Sequence, residues 1–169
     1  MDESDQIRET FARYGRSMYY AQVLEHGLVN TIVVVRIASM EPPFARSQDE
    51  WESIVDGLFD VHFEKTMGQL LKALDPLMDI PTRLEGLLRE ALSARNYLAH
   101  SFFRIPVREG MSVTGRDELI EELDAYSDLF IQTDRVLEEA LRPLRERLGM
   151  TDEALVEGYR EMYPDLDRE

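Results

Sequence analysis

Apolar positions recur at steps of three and four over the first forty residues. Ile7, Phe11, Tyr14, Met18, Ala21, Leu28, Ile32 and Val35 mark one stripe, and Glu25 falls on it too. That spacing predicts an amphipathic helix from about Ser4 to Ser39. Thr31 to Val35 is rich in β-branched residues, but the helical period runs through it and no second strand is available to pair with it. Glu41-Pro42-Pro43 ends the helix, because proline bars helical geometry from the residue before it. Ser47, with Glu50 three positions on, reads as a capping box opening a second helix from Gln48 to about Asp60. Thr66 opens a third, Met67 to Leu74, stopped by Asp75-Pro76. Thr82, with Glu85 at the box position, is read as the cap of a fourth. Its period runs through Leu84, Leu87, Leu88, Ala91, Leu92, Asn96, Ala99 and His100 to an end near Phe103.

Arg104 to Gly115 reads as a loop. Thr114, with Asp117, is expected to start a long helix whose core face is Leu119, Ile120, Leu123, Tyr126, Phe130, Thr133, Leu137, Ala140, Leu141 and Leu144. Pro143 is a candidate kink and Gly149 a natural residue just past the end. Thr151-Asp152-Glu153 opens a last helix that stops before Pro164. Nothing alternates with period two over a useful length. The expectation is one all-α domain over 1–169, an antiparallel helical bundle of five to six helices, with Trp51 and the methionines in its core.

Composition removes several classes of chemistry. The 169 residues include no cysteine, so thiol nucleophiles, disulfides and cysteine-based zinc sites are out. That fits a reducing compartment, and a cytoplasmic location is the expectation. No uninterrupted apolar run reaches the roughly 18 residues of a membrane span, and the start, Met1-Asp2-Glu3-Ser4-Asp5, is acidic where a secretory leader would be basic. His26, His62 and His100 offer no pair at four-residue spacing. No metal or cofactor is expected. Glycine-rich phosphate loops, serine elbows and helical zinc motifs are missing as well.

Charge then narrows the picture. At −15 the chain is unsuited to coating nucleic acid with its whole surface. Yet from Arg83 to Arg108 five arginines face only Glu85 and Glu90, a local balance of +3. From Asp117 to the end seventeen carboxylates face six arginines. The basic stretch contains Arg95-Asn96-Tyr97-Leu98-Ala99-His100. Asn96 and His100, four apart, share a helix face, while Arg95 and His100 lie about 140° apart around the axis. One helix thus carries a guanidinium, an amide and an imidazole that titrates near neutrality. Such a set suits a phosphodiester: histidine moves a proton at a ribose hydroxyl or leaving oxygen, and arginine holds the charged phosphate. On spacing alone, the same residues also fit a structural polar cluster. Glu25 either pairs with an arginine of this helix or reaches solvent where the stripe widens; the second is the expectation carried forward. His26 and His62 are read as structural or surface residues.

The segment Ala94-Arg95-Asn96-Tyr97-Leu98-Ala99-His100 resembles the signature of the HEPN superfamily, an arginine followed by a polar residue and, four to six positions after the arginine, a histidine. The resemblance implies an all-α bundle with the motif on a late helix. It also implies a homodimer whose two motifs face each other across a two-fold axis. In many members that composite cleft is a metal-independent endoribonuclease of toxin–antitoxin or defence systems; others are inactive scaffold modules. Carried over, His100 would be the acid/base, Arg95 would hold the scissile phosphate, and Asn96 would orient one of these. Tyr97, Arg104 and Arg108 are candidate RNA contacts. The expected partners are a second copy, RNA, and an antitoxin or other protein, with no membrane; an acidic C-terminal half that docks a basic protein is a further alternative.

Overall fold

A computed structural model describes residues 2–41, 47–104 and 112–162 of the chain. The described residues form six α-helices and no strand: α1 Glu3–Ala38, α2 Gln48–Phe63, α3 Met67–Leu74, α4 Thr82–His100, α5 Val113–Arg147 and α6 Asp152–Met162. The all-α bundle expected from the period is what the chain forms.

Local chemistry sets the helix ends. Asp2 caps α1 through the Asp5 amide at 2.8 Å, and Ser47 caps α2 through the Glu50 amide at 3.2 Å. Two expected caps move. Thr82 is already the first helical residue of α4, because Pro81 takes the cap position with φ −57° and ψ 140° and its carbonyl accepts from the Glu85 amide at 2.9 Å. Likewise α5 starts before Thr114: Ser112 accepts from the Gly115 amide at 3.0 Å. At the other end Gly149 adopts φ 75°, and the Met150 amide closes back on the Arg145 carbonyl at 2.9 Å, a Schellman ending. Pro143 sits inside α5 without ending it.

The two longest helices, α1 and α5, form the main packing interface and run parallel. Gln6 meets Val113 and Asp117, Ser17 meets Leu123 and Ser127, and Gly27 meets Asp134 and Leu137, in step along both helices. α4 runs back against them: Phe11 meets Phe103, Tyr14 donates to the Leu98 carbonyl at 3.2 Å, and Tyr97 lies beside Tyr126. The antiparallel arrangement thus holds for α4, whereas the connection through α2, α3 and α4 brings α5 back alongside α1 in the same direction.

The α1–α5 seam is polar in its first half. Ser17 Oγ lies 2.7 Å from the Leu123 carbonyl and 3.0 Å from Ser127 Oγ, all buried. Gln6, also buried, donates to Asp117 at 2.7 Å and accepts from Arg116 at 3.0 Å. This overturns part of the expected stripe: Ile7 and Phe11 face out, while Gln6 and Ser17 face in. The seam satisfies their polar groups, so burying them carries little penalty. Further along, Leu24, Leu28 and Ile32 join Leu70, Leu74, Leu84, Leu88, Phe130 and Leu137 in the core. α1 contains an 18-residue window apolar enough to cross a membrane by length and composition, and more than half of that window is buried in the bundle.

Candidate functional site

α4 turns one side into the core through Leu84, Leu88, Ala91, Ala94 and Leu98. By the helical period its far side must carry Ser93, Asn96 and His100, and all three are exposed. The helix stops at His100, and the Ser101 and Phe102 amides both return to the Tyr97 carbonyl, at 2.8 and 2.9 Å. That tight ending drives Phe102 into the core and turns Phe103 and Arg104 outward.

Arg95 stands at the margin between core and surface and leans toward α1. Its Nε donates to Glu25 Oε1 at 2.9 Å, with the two side chains only 21% and 19% exposed. Glu25 therefore does not simply reach solvent, as the sequence reading had it; it pairs with the motif arginine. The physical reason is position. Glu25 sits on the flank of α1 that meets α4, where a carboxylate short of water is best satisfied by a cation on the facing helix. Only Nε is engaged. Among the described residues the terminal nitrogens have no protein partner, and neither belongs to the buried unpaired atoms, of which Arg36 Nε is the one found there. The outer edge of the guanidinium fork thus reaches solvent, the edge that would grip a phosphate with two parallel hydrogen bonds.

His100 makes no hydrogen bond or ion pair among the described residues. With Asn96 it lies about 140° or less around α4 from Arg95. Within one chain the guanidinium turns to α1 while the imidazole faces open solvent; no bond brings them together. Tyr97 faces α5 instead, its ring 5.9 Å from Tyr126 and 6.1 Å from Phe102. Tyr126 donates to Glu122 at 2.7 Å; burial first, and that bond second, push its hydroxyl well above the usual phenol range. Arg104 is exposed one turn past His100, and Arg108 lies outside the described residues. His62 is buried with Nδ1 2.7 Å from the Leu58 carbonyl, and His26 is exposed, its ring edge-on to Phe63 at 5.3 Å. Among the described residues no three His, Asp or Glu side chains gather as a metal site.

Sequence reasoning missed a second feature of this end of α4. Phe11 and Phe103 stack with ring centroids 5.9 Å apart and planes 28° apart, yet remain 59% and 53% exposed. Tyr14 supports Phe103 from beneath at 4.7 Å. The pairing needed the register of α1 on α4, which no periodicity in either helix supplies. No family model matches the chain, and no curated protein or solved structure matches it either.

Proposed function

We propose that this chain is a metal-independent endoribonuclease of the HEPN type, of the toxin or defence class, that works in the cytoplasm as a homodimer. The observation that carries the reading is the state of Arg95. Glu25 pins Nε and leaves the fork's outer edge open, on the helix that also exposes Asn96 and His100. A second copy across a two-fold axis would set the imidazole of one α4 against the guanidinium of the other, which the 140° separation within one helix does not achieve. In such a cleft His100 takes the proton from a ribose 2′-hydroxyl or returns one to the departing 5′-oxygen. Arg95 holds the non-bridging oxygens as charge builds on phosphorus. Asn96, one turn before His100, orients the imidazole or the phosphate.

The test is cleavage of single-stranded RNA with EDTA present. His100→Ala should reduce the rate by about a hundredfold or more, and it should leave stability within about 0.5 kcal/mol because the side chain is exposed. Equal cleavage by the variant removes His100 from the chemistry.

A second reading, a non-catalytic helical scaffold, is favoured by the same ion pair, since Arg95–Glu25 also ties α1 to α4. It expects no cleavage and no RNA binding at low salt, with Arg95→Ala affecting stability alone.

A further inference from the structure

We propose that the stacked pair Phe11–Phe103 is a platform for an unpaired nucleobase of the same single-stranded RNA whose phosphate is gripped at Arg95, a few nucleotides further along the strand. This rests on the nuclease reading and deepens it by placing a base subsite on the same α1–α4 side of the bundle as the proposed chemistry.

Two phenylalanines stacked on each other and each more than half exposed are costly to leave in water. They are held in place. Tyr14 and Phe102 pack under Phe103 at 4.7 and 5.1 Å, and Phe102 is itself buried. The platform is therefore preformed, and a base stacking on it orders little of the protein.

Position ties the pair to the motif. Phe11 lies on the same side of α1 as Glu25, fourteen residues or about 21 Å before it along the helix, and Phe103 follows Arg95 by eight residues, just past the end of α4. The aromatic pair and the Arg95–Glu25 contact thus both lie where α1 faces α4.

Charge selects the occupant. Of the charged Arg, Asp and Glu side chains within four residues of either ring, Arg8 and Arg104 are the exposed ones, on a chain of net charge −15. Arg8 reaches Asp5 only on the exposed helix surface, where pairing is weak. A two-fold contact centred on the pair would set these cations against their own copies. A strand of RNA offers what the patch lacks, a π face for the rings and phosphates for the arginines.

The experiment is anisotropy binding of a labelled single-stranded RNA, with EDTA present, to the full chain carrying His100→Ala, so that binding is read without cleavage. Adding Phe11→Ala or Phe103→Ala should weaken binding by about five- to a hundredfold, whereas Phe103→Trp should keep it. An oligonucleotide abasic at the position bound should bind the parent weakly and ignore the phenylalanine variants. Unchanged affinity in both alanine variants overturns the platform, as does equal binding of the abasic strand. If the variants instead dissociate a dimer by light scattering with RNA affinity per site unchanged, the face is a seam between copies and the proposal is wrong. Loss of cleavage in His100→Ala with no effect of the phenylalanines on binding retains the nuclease reading and removes the platform; the reverse retains the platform alone.

Discussion

The Arg95–Glu25 pair lends itself to a quantitative test, because its geometry sets a range. With charge centres about 4 Å apart and an effective dielectric near 20, the gross attraction is roughly 4 kcal/mol. Both side chains have surrendered about four-fifths of their exposure, so desolvation cancels much of it. Exposed pairs are worth about 0–1 kcal/mol and breaking a fully buried one costs about 3–5. This pair belongs between, at a coupling of about 1–2 kcal/mol. The measurement is a double-mutant cycle of Glu25→Gln and Arg95→Met by urea unfolding. The internal control is Arg89–Glu85, a pair at 2.6 Å on the exposed side of the same helix, for which the cycle should give less than about 0.5 kcal/mol. Raising salt should erode the control and leave the Glu25 coupling largely intact. Glu25→Gln keeps an oxygen to accept from Nε and should largely preserve RNA cleavage, whereas Glu25→Ala removes the acceptor and should lower kcat more than it raises KM if Glu25 aims the guanidinium. A coupling no larger than that of Arg89–Glu85 would refute the whole line of reasoning, since Glu25 would then neither tie the helices nor position Arg95.

Two other outcomes follow from features away from the motif. Asp134 is half-buried against α1, and burial, with Glu138 second, raises its carboxyl above the ordinary aspartate range. The folded chain therefore binds its proton more tightly than the unfolded chain, so stability falls as pH rises from the unfolded value through the folded one and is regained on acidification. Asp134→Asn should stabilise the protein at pH 7 by up to about 1 kcal/mol, and the gain should vanish only well below the unfolded aspartate value of about 3.9, where both states carry the proton; a pH series of thermal melts checks this. Gly149→Ala should cost about 1 kcal/mol in chemical denaturation, since φ 75° is a backbone conformation alanine adopts with strain.

The helices were legible in the sequence because their signals are local. Period, prolines and Gly149 placed all six to within a few residues, and α3 was placed residue for residue. Thr82 and Thr114 misled because a neighbour competed: Pro81 and Ser112 were as able to start the turn, and a hydroxyl two residues away looks equally good on paper. The stripe of α1 misled for a different reason. Hydrophobicity predicts which face is buried only when the opposing surface is apolar, and Ser127 and Arg116 made a polar seam that takes Gln6 and Ser17 inside and leaves Phe11 outside. At the candidate site, Asn96 and His100 share one face of α4, as their spacing implied, but it is the exposed side and not the buried face of Leu84, Leu88 and Ala91 on whose period they were read, and Arg95 lies near its boundary. What Arg95 touches is set by a residue 70 positions away in sequence, and such a pairing has no signature within either helix.

The parallel alignment of α1 with α5 bears on how the molecule comes into being on the ribosome. Each bond across that seam joins residues more than a hundred positions apart, as between Ser17 and Ser127. The first helix to emerge must wait for nearly the last before its inner side is covered, and loop closure over that span slows assembly. In the meantime Leu24, Leu28 and Ile32 have only partial shelter from α2, α3 and α4. Apolar surface left open during synthesis is prone to aggregation, so the order in which these helices emerge bears on the yield of folded protein as well as the stability of the finished bundle does.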